Sequence, residues 1–245
     1  MKLYAVVCLT LLSFSVQAAC DDPPAPRVNW SGCDKSNLDL SSVNLSSAVL
    51  KRANFSHTKF INARLDRADF NFSNLVKSNF SKASMKKVRM VGVNARSTNF
   101  TRAKLNQADF SRSNIQQAIF SDAVLEGAKF YQTKADKVIF KRATMKYANF
   151  EQSSLVQADF TQVVAEQASF NNAIVDQAIF FKANLTRSQW QKSSLLESDF
   201  RQANLSKASL VGAIIDSAIF DGASLQDATW IEYQRCRHDA VSICR

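Results

Sequence analysis

Residues 101–120 read TRAKLNQADFSRSNIQQAIF, and one register runs through them. Leu105, Phe110, Ile115 and Phe120 fall on every fifth place, and Ala103, Ala108, Ser113 and Ala118 stand two places before them. Read outward in both directions, the register holds from Leu40 to Trp230. The 39 fifth-place residues comprise fifteen Phe, thirteen Leu, three Met, three Ala, two Ile, two Trp and one Val. The 38 places two residues earlier, Val43 to Ala228, are all Ala, Ser, Thr or Val. The other three places of each unit are mostly Asn, Asp, Gln, Ser, Lys and Arg.

Residues two apart on a strand share a face. The small and the large residue of each unit therefore both point inward. Five is odd, so an unbroken strand would turn the next large residue outward, and the chain must reset at a corner in every unit. A coil with one short side per pentad, stacked through parallel hydrogen bonds, meets that demand.

The number of sides is also legible. Phe60, Phe80, Phe100, Phe120, Phe140, Phe160, Phe180, Phe200 and Phe220 recur at a spacing of 20. Phe70, Phe110, Phe130, Phe150, Phe170, Trp190 and Trp230 form a second series, interrupted by Met90 and Leu210. The series between them is aliphatic, as in Leu65, Met85, Leu105 and Leu125. A four-sided coil of 20 residues places the aromatic columns on opposite walls.

Units such as Ala68-Asp69-Phe70, Ala108-Asp109-Phe110, Ala158-Asp159-Phe160 and Ala203-Asn204-Leu205 resemble the pentapeptide-repeat family over residues 36–230. The resemblance implies an all-β fold, a right-handed quadrilateral parallel β-helix of about ten coils, roughly 48 Å long at the strand spacing. Such a solenoid is stabilised coil against neighbouring coil.

The flanks read differently. Lys2 followed by the apolar run Leu3–Val16 and then Gln17-Ala18 gives a signal peptide over 1–18, too short to persist as a membrane span. The mature chain is therefore expected in the periplasm or secreted, and not transmembrane. Lipoprotein anchoring at Cys20 is the weaker reading, because Gln17 stands where such a signal carries an aliphatic residue. Four cysteines remain after the signal, Cys20, Cys33, Cys236 and Cys244, and allow three connectivities. An N-terminal cap over 19–35 and a C-terminal cap over 231–245 would cover the raw sheet edges of the solenoid. Bridged Cα atoms lie within about 7 Å, and a rod of that length forbids end-to-end pairs. One local disulfide per cap is expected.

Composition excludes more than it assigns. The two mature histidines, His57 and His238, are far apart and lack partners at metal-ligand or triad spacing. No glycine-rich phosphate loop is present among five glycines. Asp69, Asp109, Asp159 and Asp199 occupy the place where Asn54, Asn79, Asn99 and Asn149 also occur. Interchange of that kind points to backbone hydrogen bonding at a corner and not to proton transfer. The reading is a non-enzymatic scaffold, with no cofactor, no metal and no small-molecule substrate.

Charge divides the rod. Residues 51–112 carry fourteen Lys and Arg against three acids, whereas 151–234 carry five against ten. On two adjacent sides of the basic section stand Lys59, Arg64, Arg67, Lys82, Lys86, Lys87, Arg102 and Lys104, opposed by Asp66. These eight form a candidate anion-binding face for an envelope component. The outward place holds Ile119, Ile139, Ile179 and Ile219 along one side, with Phe181 beside them and Ile174 and Ile214 on the next. That stripe is a candidate contact for a protein partner or a homodimer. Some family relatives mimic a DNA duplex and protect topoisomerases from quinolones. That alternative fits poorly with an exported chain whose densest charge is basic, and nucleic acid is disfavoured as a partner. The third alternative, an envelope polysaccharide enzyme, lacks an acid–base pair.

Overall fold

The structure, a computed structural model, describes residues 19–244; the signal peptide expected over residues 1–18 lies outside the described residues. Every pentad is built the same way. In Thr101–Leu105, Thr101 and Arg102 make the corner, Ala103 and Leu105 point inward with 0% exposure, and Lys104 between them faces out. The outward residue carries the sheet pairing: parallel bridges join residues 20 apart from Asn29↔Val49 to Ser209↔Thr229. Four pentads thus close one coil. The ladder begins at Asn29 and Asp34, inside the segment expected to be cap.

Backbone donors account for the corner geometry. The N–H of Leu105 donates upward to Val124 O (2.7 Å), that of Lys104 downward to Ala83 O (2.9 Å), and that of Arg102 upward to Ser121 O (2.9 Å). Ala103 N–H closes the turn on Phe100 O at 3.0 Å. Arg102 sits at φ 59, in the left-handed region, and so do the equivalent corners throughout the coil. A side chain there costs of order 1–2 kcal/mol, and the upward hydrogen bond of the same residue holds it in place. All five glycines, Gly32, Gly92, Gly127, Gly212 and Gly222, occupy this corner place.

One N–H per pentad remains, on the first corner residue. Asp or Asn at the outward place accepts it: Ser111 N–H donates to Asp109 Oδ1 at 3.0 Å and Ser81 N–H to Asn79 Oδ1 at 3.0 Å. At five corners whose outward place holds another residue, an acid or amide from the coil below reaches up. Asp66 takes the N–H of Lys86 and Asp176 that of Leu196. The carboxylates therefore serve the backbone, as the Asp–Asn interchange implies.

Inside, the aromatic columns stack. Phe60–Phe80 and Phe100–Phe120 lie 4.7 and 4.6 Å apart with rings nearly parallel. The two columns meet edge-on across the core, as in Phe150–Phe160 at 5.8 Å and 86°. Stacked and edge-to-face pairs are the favoured arrangements of aromatic rings. Burial of each such side chain contributes about 1.5–3 kcal/mol. Inner Ser and Thr hydroxyls donate to main-chain carbonyls, for example Ser113 to Met90 O at 2.6 Å.

The ends are closed differently. Cys20 is bonded to Cys33 with Cα atoms 5.5 Å apart, beside Trp30, which is 1% exposed. After Trp230 the chain reverses and runs back antiparallel over two sides, through Thr229↔Arg235 and Ser224↔Val241. Cys236 is bonded to Cys244 within that segment, with Cα atoms 4.7 Å apart. Among the described residues no helix is long and apolar enough to cross a membrane.

Candidate functional site

The coil aligns the basic residues in columns. Lys82 and Arg102 occupy successive turns of one corner, Arg67 and Lys87 successive turns of the next, and Arg64, Ser84 and Lys104 follow one another along a ladder. Each step is one strand spacing, about 4.8 Å. Two like charges at that separation repel by about 1 kcal/mol in water. Little compensates them: Lys59 approaches Asp39 at 3.9 Å, and the other seven reach no carboxylate among the described residues. Asp66, the acid among them, is taken by the Ser84 hydroxyl and the Lys86 N–H, both at 2.8 Å.

Ion pairs are formed further along the rod. Asp122 takes a two-pronged contact from Arg142, at 2.7 and 2.9 Å, and that hydrogen bonding holds its carboxyl below the ordinary range. Lys141 pairs with Asp159 at 3.0 Å and Lys146 with Glu166 at 2.9 Å. Lys141, Arg142 and Lys146 are thus placed against acids, whereas Lys129, Lys134 and Lys137 in the same stretch reach none among the described residues, as in the basic face.

Basic residues also continue onto the sides that the sequence reading left out. Ser31, Gly32, Lys51, Arg52, Asn71, Phe72 and Arg89 line a shallow groove there. Lys51 and Arg89 both reach Asp69, at 3.1 and 3.2 Å. Phe72 stands at a left-handed corner with 60% of its surface exposed. Its signal in the sequence is a phenylalanine at the second corner place, where polar residues or glycine otherwise prevail.

The match to known proteins follows the same register. The family model for "Pentapeptide repeats (8 copies)" matches residues 39–71, 123–162, 143–180, 178–216 and 193–229, and that for "Pentapeptide repeat region" matches 66–140. The chain belongs to the pentapeptide-repeat family. Among solved structures of that family, QnrB1, a plasmid-mediated fluoroquinolone resistance protein, is 20% identical with a TM-score of 0.54. The match covers 77% of this chain and 95% of QnrB1. HetL from the cyanobacterium Nostoc sp. strain PCC 7120, involved in heterocyst differentiation regulation, is 21% identical with a TM-score of 0.48. That match covers 81% of this chain and 92% of HetL. The likeness to QnrB1 shows the shared fold. No curated protein matches the chain.

Within this pentapeptide-repeat coil the isoleucine stripe is broken. Its ladder runs Ile119, Ile139, Asp159, Ile179, Asp199, Ile219, so carboxylates alternate with the apolar side chains toward the C-terminal end. Asp199 is held by Arg201 at 2.7 Å. Ile179 and Ile219 are 39% and 41% exposed, and Ile174 and Ile214 on the neighbouring side 48% and 52%. Phe181 carries the Lys182 ammonium 5.1 Å from its ring centre. His238 lies 3.4 Å from Asp227 Oδ2 in the C-terminal cap, well away from His57.

Proposed function

We propose that this pentapeptide-repeat protein is an exported, non-enzymatic scaffold, a right-handed coil of about ten turns that attaches to an anionic surface of the bacterial envelope. The observation that carries the reading is the cluster of cations at Lys82, Arg102, Lys86 and Lys87 on adjacent corners, none of which reaches a carboxylate among the described residues. An array of phosphates or carboxylates would relieve their mutual repulsion and be held more tightly at low salt. Export is supported by four cysteines joined in two disulfides, a state that persists in oxidising compartments. The Cys20 sulfur is engaged by Cys33, which favours simple secretion over lipid attachment at that residue. Resistance of the QnrB1 kind through DNA mimicry is the second reading. The charge opposes it, since a mimic of DNA calls for an acidic face and the densest charge here is basic.

The test is retention of the purified mature protein on isolated envelopes across a salt series. Each basic residue near an anionic membrane contributes about 1 kcal/mol. Reversal of four charges (Lys82→Glu, Lys86→Glu, Lys87→Glu, Arg102→Glu) is therefore expected to abolish retention that salt also weakens. Unchanged retention by that variant would refute the proposal.

A further inference from the structure

The last coil is covered over only half its circumference. In each coil below, the N–H of the large residue and of the second corner residue donates upward, as Leu195 does to Ile214 O and Glu197 to Asp216 O. On the last coil the cap meets this need for two sides: Leu225 N–H donates to Ala240 O, Trp230 N–H to Gln234 O and Gly222 N–H to the Ser242 hydroxyl. On the other two sides the N–H groups of Ile215, Ser217 and Phe220 find no acceptor among the described residues. The carbonyls of Ala213 and Ala218 receive no donor there either, whereas their counterparts one coil below, Ser193 and Ser198, accept from Ile214 and Ile219.

The side chains repeat the pattern. Ala213 and Phe220 are 7% and 8% exposed, against 1% and 0% for Ala173 and Phe180 two coils below. The core is therefore slightly less covered at this step, where Ile215 and Ala218 are half-buried. Asp216 stands on the rim in the column of Asp136 and Asp176. Each of those takes a serine hydroxyl and an N–H from the coil above, through Ser154 with Val156 and through Ser194 with Leu196. Asp216 has neither partner among the described residues and is exposed, as is Asp221 at the next corner.

We infer that this half-open layer receives an extended, basic peptide segment of a protein partner by β-strand addition. Free donors and acceptors on a sheet edge supply the main-chain pairing, and the half-buried apolar layer takes alternate side chains. Small and large apolar residues would settle over Ala213, Ile215, Ala218 and Phe220, with a cationic side chain at Asp216 and Asp221. The exposed carboxylates of Asp216 and Asp221 select a cationic segment. A single strand lies in the step without obstruction.

The probe is a capped ten-residue peptide with the sequence of residues 173–182 carrying Asp176→Lys, which reproduces the side-chain pattern of these two sides. Saturable binding is expected by fluorescence anisotropy. The amides of Ile215, Ser217 and Phe220 should then exchange with solvent about tenfold more slowly, while those of Leu225 and Trp230 keep their rates. Asp216→Lys combined with Asp221→Lys should weaken binding about tenfold and leave the coil intact. A scrambled peptide that binds equally well, or the three amides unchanged at saturation, would overturn the inference. Protection of the same amides by self-association without peptide would also overturn it, assigning the edge to a second copy.

Discussion

A β-carbon on Gly92 would stand 2.7 Å from Cδ1 of Phe72, so the exposed ring of one corner rests on the bare backbone of the corner one coil above. Left-handed corners in this fold accept side chains, as Arg112 and Gln107 show. The backbone alone therefore does not demand glycine here, and the ring does. Gly92→Ala is expected to destabilise the protein by about 1 kcal/mol in denaturant unfolding, in the range of coupled neighbours. Gly127→Ala, whose nearest neighbour is Gln107 Cγ at 3.6 Å, should change little. Adding Phe72→Ala to Gly92→Ala should recover the loss; a double variant no better than Gly92→Ala would locate the cost in the backbone.

Asp176 accepts both the Ser194 hydroxyl and the Leu196 N–H, and Asn171 makes the same upward bond to Gln191 N–H at 2.8 Å. An amide therefore suffices. Asp176→Asn is expected to be near neutral, whereas Asp176→Leu strands a donor and should cost about 1–3 kcal/mol. Equal unfolding midpoints for the two variants would contradict this account of the corner.

The inward register was legible because a buried place tolerates few residue types, and the spacing of 20 between Phe60, Phe80 and Phe100 reveals the four walls. The Asp–Asn interchange at Asp69 and Asn79 disclosed the corner hydrogen bond for a similar reason, since both side chains offer the same oxygen. The left-handed corner was not legible, because Gln, Lys and Arg occupy it more often than glycine. Nor was the break in the isoleucine stripe. Asp159 and Asp199 share its ladder, but attention to apolar residues alone skips over them. Which cations lack a partner depends on distances between coils, and the return path after Trp230 follows no repeat. Those features arise from packing between coils and leave no mark in the repeat.

Asp199 is the acid whose state should govern acid stability at the stripe. Hydrogen bonds from Arg201 hold its carboxyl below the ordinary range in the folded protein. A depressed carboxylate stabilises the fold above its unfolded pKa, about 3.9. That contribution fades as pH falls toward the folded value. The melting temperature of the native protein is expected to drop more steeply below about pH 4 than that of Asp199→Asn. Parallel curves for the two proteins would remove Asp199 from the acid response.

The C-terminal cap carries the clearest consequence for behaviour in solution. It is held by five main-chain contacts: Gly212 N–H to Ile231 O, Trp230 N–H to Gln234 O, Cys236 N–H to Ala228 O, Leu225 N–H to Ala240 O and Ser242 N–H to Ala223 O. Among its described residues only Cys236 and Ala240 are buried, at 2% and 6% exposure, so packing alone fastens it weakly. The Cys236–Cys244 bridge closes the return segment on itself, and bridges over short loops contribute roughly 2–3 kcal/mol. Replacing both cysteines by serine should let the cap fray and leave the coil standing, because coils are stabilised by their neighbours and not by the end. The far-ultraviolet circular dichroism would then be unchanged. The newly bared edge on Leu225 and Trp230 would join the open edge on Ile215 and Phe220, and a complete unprotected rung invites edge-to-edge pairing. Sedimentation velocity should accordingly show association that grows with protein concentration in the variant beyond that of the native protein. A variant that sediments like the native protein at every concentration would mean that the main-chain contacts alone keep the cap closed.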